Sequence, residues 1–444
     1  MERPAVSMIS LGCAKNLVDT ERILGALAER GWLIAERALD ADVVLINTCG
    51  FIGEARDESF GVIENALLLK DAEVIRAVVV IGCMVQLMSE QLARRFSEVD
   101  AWVGLTAPET VADACEGAAS AAGSKSAPVL GASGRPFGYG PRLRITPKHY
   151  AYLRISEGCD NRCRYCQIPA IRGPMRSKPF ERIIQEAAEL VADGARELIL
   201  IAQDTTSYGT DLYGERRLAA LLRELRNVDG VRWLRLLYTH PAHIDDELIA
   251  VLAEGGTLLP YVDLPIQHAN DTILEQMGRH IGQDGLRDVV GRVRNAVADA
   301  VLRTSVIVGF PGEGAAEFNE LLSFIREVRF DRLGAFAYSR EPGTPAAELA
   351  GQVPDEAKQE RLAAVMELQH EIATEQSAAL VGAEIETVVD GKGVDGEWTG
   401  RTYRDAPDVD GAIRLEGSKL RPGMFARAVV TEAYGYDLVG KLVS

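Results

Sequence analysis

Cys159, Cys163 and Cys166 stand within eight residues, in the run Cys159-Asp-Asn-Arg-Cys163-Arg-Tyr-Cys166. Three thiols this close, directly after an apolar strand-like segment, can wrap one metal centre. Structural zinc takes four closed ligands. No fourth Cys or His lies nearby: His149 precedes the strand, and the next histidine is His240. A four-iron cluster on three thiolates leaves one iron open to a small ligand. Such an iron can bind a cofactor and pass it an electron. Three unrelated buried thiols are the plain alternative, and the spacing argues against that coincidence.

Cys13, Cys49 and Cys83 have no tight spacing. Each instead ends a strand-like run, in SLGC, INTC and IGC. Neighbouring parallel strands bring their C-terminal ends to one edge, where ligands collect in open α/β sheets. The three thiols could therefore converge on a second cluster. Three separately buried thiols explain the pattern equally well. Cys115 follows an alanine-rich helical stretch and no strand, and reads as structural.

The elements that must position these thiols are legible in the hydrophobic pattern. Val6–Leu11, Val43–Asn47 and Ala77–Gly82 read as buried strands, separated by amphipathic stretches at Asn16–Arg30 and Glu54–Leu69. Strand–helix alternation predicts a doubly wound parallel α/β domain over residues 4–116. Residues 117–147 are rich in Gly, Ala, Ser and Pro and read as a solvated linker. The basic residues Lys125, Arg135, Arg142, Arg144 and Lys148 fall in or beside it. Over 148–376, six strand–helix units run from Tyr152–Ser156 to Arg332–Tyr338, and predict a partial barrel closed by a long helix at Pro354–Ala379. Barrel enzymes place their chemistry at the C-terminal strand ends, which is where Cys159 stands. Residues 377–444 change to short alternating runs between Gly and Asp turns, the pattern of a small antiparallel β-barrel.

Composition narrows the classes further. The 444 residues carry 48 Lys+Arg against 65 Asp+Glu, a net charge of −17. Such a chain is a poor general grip for phosphate backbones and suits a basic partner better. No apolar run approaches the roughly 20 residues that span a bilayer, and MERPAVSM is no export signal. A cytoplasmic protein without a membrane contact is expected. Seven cysteines, an odd number, argue against a disulfide framework.

The run Cys159-x3-Cys163-x2-Cys166, with Tyr165 before the last thiol, resembles the signature of the radical S-adenosylmethionine enzymes. SLGCAKNLVDTE, INTCGFI and IGCMVQ resemble the N-terminal domain of the methylthiotransferases within that superfamily, and the tail resembles their small TRAM barrel. The resemblance implies a transferase with two four-iron (4Fe-4S) clusters and S-adenosylmethionine as cofactors. Cys159, Cys163 and Cys166 would hold the radical cluster, and Cys13, Cys49 and Cys83 an auxiliary cluster that carries the sulfur. It also implies that Gln203 and Asp204, after the second barrel strand, contact the cofactor. Gly309 and Gly312, in Val308-Gly309-Phe310-Pro311-Gly312, lack side chains and could let the backbone approach its adenosine. A plain turn is the alternative for the glycines and for Asp204. A flavodoxin or ferredoxin would supply the electron.

IAQDTTSYG, VIVGFPGE and GRTYRDAPDVDG look like the protein-modifying branch of the methylthiotransferases. That branch methylthiolates the β-carbon of an aspartate in small-subunit ribosomal protein S-twelve. Gly314 departs from the family, which has Thr or Ser there. Asp405, Asp408 and Asp410 crowd three carboxylates into the tail, and are expected to steer a basic ribosomal protein and to disfavour tRNA. A methylthiotransferase acting on a tRNA adenosine and a non-catalytic two-cluster electron carrier are the alternatives.

Overall fold

The computed structural model describes residues 3–120, 127–131 and 140–443. The first part alternates β1 (Ala5–Ser10), α1 (Ala14–Glu29), β2 (Leu33–Ala35), β3 (Val43–Thr48), α2 (Gly53–Asp71), β4 (Ala77–Gly82), α3 (Cys83–Arg95), β5 (Ala101–Val103) and α4 (Pro108–Ser120). The strands form one parallel sheet in the order β2-β1-β3-β4-β5. Every residue of β3 and β4 is buried. Their sequences, VVLINT and AVVVIG, are the near-continuous apolar runs that a strand covered on both faces requires. The chain leaves β1 for β2 on one side and returns for β3 on the other. The crevice between β1 and β3 is therefore the switch point at which such sheets bind ligands. Cys115, on α4, is wholly buried in the sheet's core.

The second part is a six-stranded parallel sheet of β6 (Tyr150–Arg154), β9 (Glu197–Ile201), β10 (Trp233–Leu236), β11 (Leu258–Asp263), β12 (Val301–Val308) and β13 (Arg332–Ala337). Its strands lie side by side in chain order. This is the partial barrel that the alternation predicts. Side chains alternate by two along each strand. Ala151 and Leu153 face the helices, while Tyr150 and Tyr152 face the concave interior. Between β6 and β9 a two-stranded ribbon pairs β7 (Ser156–Glu157) with β8 (Arg176–Ser177). It pinches off a loop that contains all three clustered cysteines and a short helix, α5 (Ile168–Arg172). α6 (Phe180–Ala192) follows.

The tail is a closed barrel of β14 (Glu384–Lys392), β15 (Trp398–Thr402), β16 (Ile413–Glu416), β17 (Phe425–Tyr434) and β18 (Asp437–Leu442). Among the described residues no helix is long and apolar enough to cross a membrane.

Two expectations change. The described part of the linker is mostly exposed, but two of its basic side chains are not solvated. Val129 makes a parallel bridge to Val103 at the sheet edge. Arg142 reaches Glu21 of α1, Glu186 of α6 and the Tyr152 carbonyl. Arg144 pairs with Asp193. Both arginine side chains are nearly fully buried, because the strap lies in the seam between the first domain and the barrel. Lys125 and Arg135 lie outside the described residues.

The tail acids are likewise not a surface patch. The β15–β16 turn, Tyr403 and Ala406 included, plugs the concave face of the six-stranded sheet. There Asp405 pairs with Arg332, and Asp410 accepts from the Tyr261 hydroxyl at 2.6 Å and faces Arg303 at 3.5 Å. Both carboxylates are buried counter-ions for the arginines that line the barrel interior. Only Asp408 is exposed, within 3.4 Å of the Tyr150 and Tyr152 hydroxyls.

Candidate active site between two cysteine sets

Cys13 caps the N-terminus of α1, Cys49 follows β3, and Cys83 begins α3, so all three lie at the C-terminal edge of the first sheet. Two glycines allow the approach. Gly12 has φ +87°, and a Cβ there would lie 2.8 Å from the Cys49 Cβ. Gly82 has φ +102°, and a Cβ would collide with the Asn47 side chain at 2.3 Å. Asn16 and Asn47 then lock the edge. Asn16 donates to the Leu11 and Thr48 carbonyls, and Asn47 donates to the Asn16 carbonyl and the Thr20 hydroxyl. The thiols lie close enough to perturb one another. Burial pushes Cys83 up to about 12. Cys13 is the exposed thiol of the three; desolvation would raise it, yet Lys15 and Arg172 together hold it below the ordinary thiol value.

The second set is held by its own loop. The Cys159 amide donates to the Gly173 carbonyl and the Cys166 amide to the Cys163 carbonyl. Asn161, between the first two thiols, donates to Asp204 at 2.7 Å. The Arg164 amide donates to the Met277 carbonyl. Burial pushes Cys159 and Cys166 up to about 12.

The donor set fits iron–sulfur clusters. N–H groups aim at sulfur in both sets: Ile168 N at Cys166 (3.4 Å), Arg279 Nη1 at Cys163 (3.7 Å) and Arg172 Nη2 at Cys83 (3.4 Å). Arg279 is buried, its Nε has no partner, and its other bond goes to the Pro265 carbonyl. A buried guanidinium set against a thiol suits a thiolate, which a metal would create by displacing the proton. Hydrogen bonds to the sulfurs are also a means by which proteins set cluster potentials. Among the described residues no three Cys, His, Asp or Glu crowd round a single-ion position. A cluster does not need them to, since each thiolate binds a separate iron.

Arg172 ties the loop of the second set to Cys83 of the first. It ends α5, six residues after Cys166, and its guanidinium touches Cys83, Asn16 (2.7 Å), Asp19 (3.1 Å) and Glu157 (2.6 Å). Neither Arg172 nor Arg279 was among the expected site residues. Neither lies in a spaced motif, and only tertiary packing brings it to sulfur.

Residues 5–104 match Uncharacterized protein family UPF0004, residues 153–325 the Radical SAM superfamily, and residues 381–443 the TRAM domain. The ribosomal protein uS12 methylthiotransferase RimO of Pelotomaculum thermopropionicum is 44% identical over 442 residues, covering 99% of each chain. The protein of the same name from Heliobacterium modesticaldum is 43% identical and covers 99% of this chain and 95% of its own. This chain belongs to the RimO family of radical SAM methylthiotransferases. It is thus a transferase. The fold likeness extends beyond RimO. The radical S-adenosylmethionine methyltransferase TsrM from Kitasatospora setae superposes with a TM-score of 0.54 over 88% of this chain and 79% of its own, at 17% identity.

Within this RimO-family scaffold the other expected site residues fall as follows. Gln203 donates to Glu157 at 3.1 Å, and its Oε1 is buried without a partner, an acceptor left open at the β9 end. Asp204 is buried and committed to Asn161, Thr206, Ser207 and His243. It positions the cysteine loop and leaves no free oxygen for a cofactor. The Gly309 Cβ position is filled by the Lys358 side chain, and that of Gly312 lies 3.0 Å from Gln276. Glu313 accepts from the Gly309 amide. The glycines thus build a closed turn, and the space they leave is taken by protein. Gly314 still starts a helix, because Glu317 accepts from its amide at 2.9 Å.

Proposed function

We propose that this protein attaches a methylthio group to the β-carbon of an aspartate in ribosomal protein uS12, the small-subunit protein S-twelve. The observation that carries the reading is the single side chain, Arg172, that touches the Cys83 thiol from the end of the helix following Cys166. That contact ties the loop of the second cysteine set to the first set, which supports a reaction with a radical half and a sulfur half. When bound, two four-iron clusters and S-adenosylmethionine would supply reductive cofactor cleavage at one set and the transferable sulfur at the other.

The chain's residues would do the rest. Cys159, Cys163 and Cys166 would hold the radical cluster, with Arg279 and the Ile168 amide directed at their sulfurs. Cys13, Cys49 and Cys83 would hold the auxiliary cluster, with Arg172 beside it. Gln203 Oε1 offers an acceptor for the cofactor. Glu157, Asp19 and Arg154 fix Arg172 in an ion network that ties α1 to the ribbon of the cysteine loop. A flavodoxin- or ferredoxin-type donor in the cytoplasm would deliver the electron.

Mass spectrometry of uS12 and of tRNA nucleosides from a strain lacking the gene tests the reading. Methylthiolated aspartate should vanish from uS12, return with the wild-type gene, and stay absent when Cys13, Cys49 and Cys83 are changed to Ala. Loss of a methylthioadenosine from tRNA, with uS12 unaltered, would assign the protein to the tRNA-modifying branch.

A further inference from the structure

Lys15 lies two residues after Cys13 and is 7% exposed. Its Nζ stands 3.2 Å from the centroid of the Tyr238 ring. Burying an ammonium is costly unless a charge or hydrogen-bond acceptors compensate it. Of the carboxylates on the elements around it, Asp408 accepts from the Tyr150 and Tyr152 hydroxyls, and the others pair with cations. Asp19, one turn along α1, pairs with Arg154 and Arg172, and so does Glu157. Asp263 pairs with Arg303. Asp204 pairs with His243. Among the described residues no acid stands within ion-pair distance of Lys15, and the face of Tyr238 is its compensation.

Tyr238 is itself held in an unusual state. Its φ is +59°, a left-handed backbone that bulky residues adopt only where the surroundings impose it. Its N–H donates to Asp263 at 2.8 Å, and its carbonyl accepts from the Thr205 amide and hydroxyl at 2.9 and 3.1 Å. These bonds hold the ring just past β10, on the same buried cluster that Ala14 and Leu17 of α1 pack against. The ammonium is thus fixed at the point where the first domain meets the barrel interior.

We propose that the Lys15 ammonium, held on the Tyr238 ring, is the specificity group that binds the carboxylate of the aspartate to be modified. The assignment rests on the uS12 reading above. An aspartate brings a carboxylate, which no described residue offers Lys15 within ion-pair distance, and a neutral asparagine does not. The β-carbon is bonded directly to that carboxylate. Seating the carboxylate on Lys15 therefore carries the reacting carbon to the side of Cys13.

The test compares purified uS12 with uS12 in which the modified aspartate is Asn. Both are titrated by fluorescence anisotropy against the full-length, iron-loaded chain under anaerobic conditions. The wild-type chain should bind the Asp form on the order of tenfold tighter than the Asn form. Lys15→Met should bind both forms alike, and Lys15→Arg should keep part of the preference. Iron content should be the same in all three. A Lys15→Met chain that still prefers the Asp form, or a wild-type chain that binds both forms equally, overturns the proposal. So does a Lys15→Met chain that loses about half its iron, because Lys15 would then serve the thiolates of Cys13 and its neighbours. A wild-type chain that binds neither form of uS12 instead sinks the reading of function on which the assignment stands.

Discussion

The Arg172 guanidinium spans Cys83 Sγ at 3.4 Å and Glu157 Oε1 at 2.6 Å. One partner belongs to the first domain and the other to the ribbon that holds the barrel's cysteine loop. Burial disfavours the charge, but the Glu157 and Asp19 carboxylates outweigh that cost, and Arg172 stays protonated. Removing one partner of a buried network leaves the others uncompensated. Arg172→Met should therefore destabilise the protein by roughly 3 kcal/mol, while Arg172→Lys recovers part of the loss. Denaturant unfolding of the full chain measures this, and an unchanged midpoint for Arg172→Met would refute it.

Iron content separates the two cysteine sets. A chain reconstituted anaerobically with two four-iron clusters should carry about eight irons. Changing Cys159, Cys163 and Cys166 together to Ala should remove about half, and changing Cys13, Cys49 and Cys83 should remove the other half. Cys115→Ala should retain all the iron and cost about 1–2 kcal/mol, since a buried thiol is replaced by a small void. Full iron in the first-domain triple variant would eliminate the auxiliary centre.

The tail acids should behave as structural counter-ions. Asp405→Asn strands Arg332 in the barrel interior and should cost on the order of 3 kcal/mol. Asp408→Asn, at an exposed position, should stay within about 0.5 kcal/mol of wild type. Thermal unfolding of the two variants decides it. Equal melting points would show that the plug does not depend on the buried pair.

Acid should loosen the seam between the first domain and the barrel. Burial alone would raise the Glu186 carboxyl, but Lys178, Arg22 and Arg142 hold it at about 2, below its ordinary 4.5. The folded value lies below the unfolded one. Its stabilisation, on the order of 3 kcal/mol, is fully present above about pH 4.5 and is lost as pH falls toward about 2. Arg22 lies on α1 and Arg142 on the strap, so the loss falls on the domain seam. Melting temperature followed from pH 6 to pH 3 should drop less steeply for Glu186→Gln than for wild type. Parallel curves would remove Glu186 from the account.

The sequence by itself determined the kinds and order of the parts. Runs such as Val43–Val44–Leu45–Ile46 in β3 have little alternative to a strand buried on both faces, and alternation with amphipathic helices then demands parallel sheets. Cysteines at the ends of β1, β3 and β4 meet at one edge because parallel strands end together. Local pattern could not say which charges face inward. Asp405 and Asp410 resemble a surface cluster in one dimension, because the arginines that bury them, Arg332 and Arg303, lie about a hundred residues away or less on other strands. Arg142 and Arg144 read as solvated linker cations until the strap is seen against α1 and α6. Arg172 and Lys15 likewise acquire their meaning from contacts across domains, with Cys83 in one case and Tyr238 in the other. Burial and pairing of a charge are properties of the closed structure, since desolvation depends on everything packed around the group and not on its neighbours along the chain.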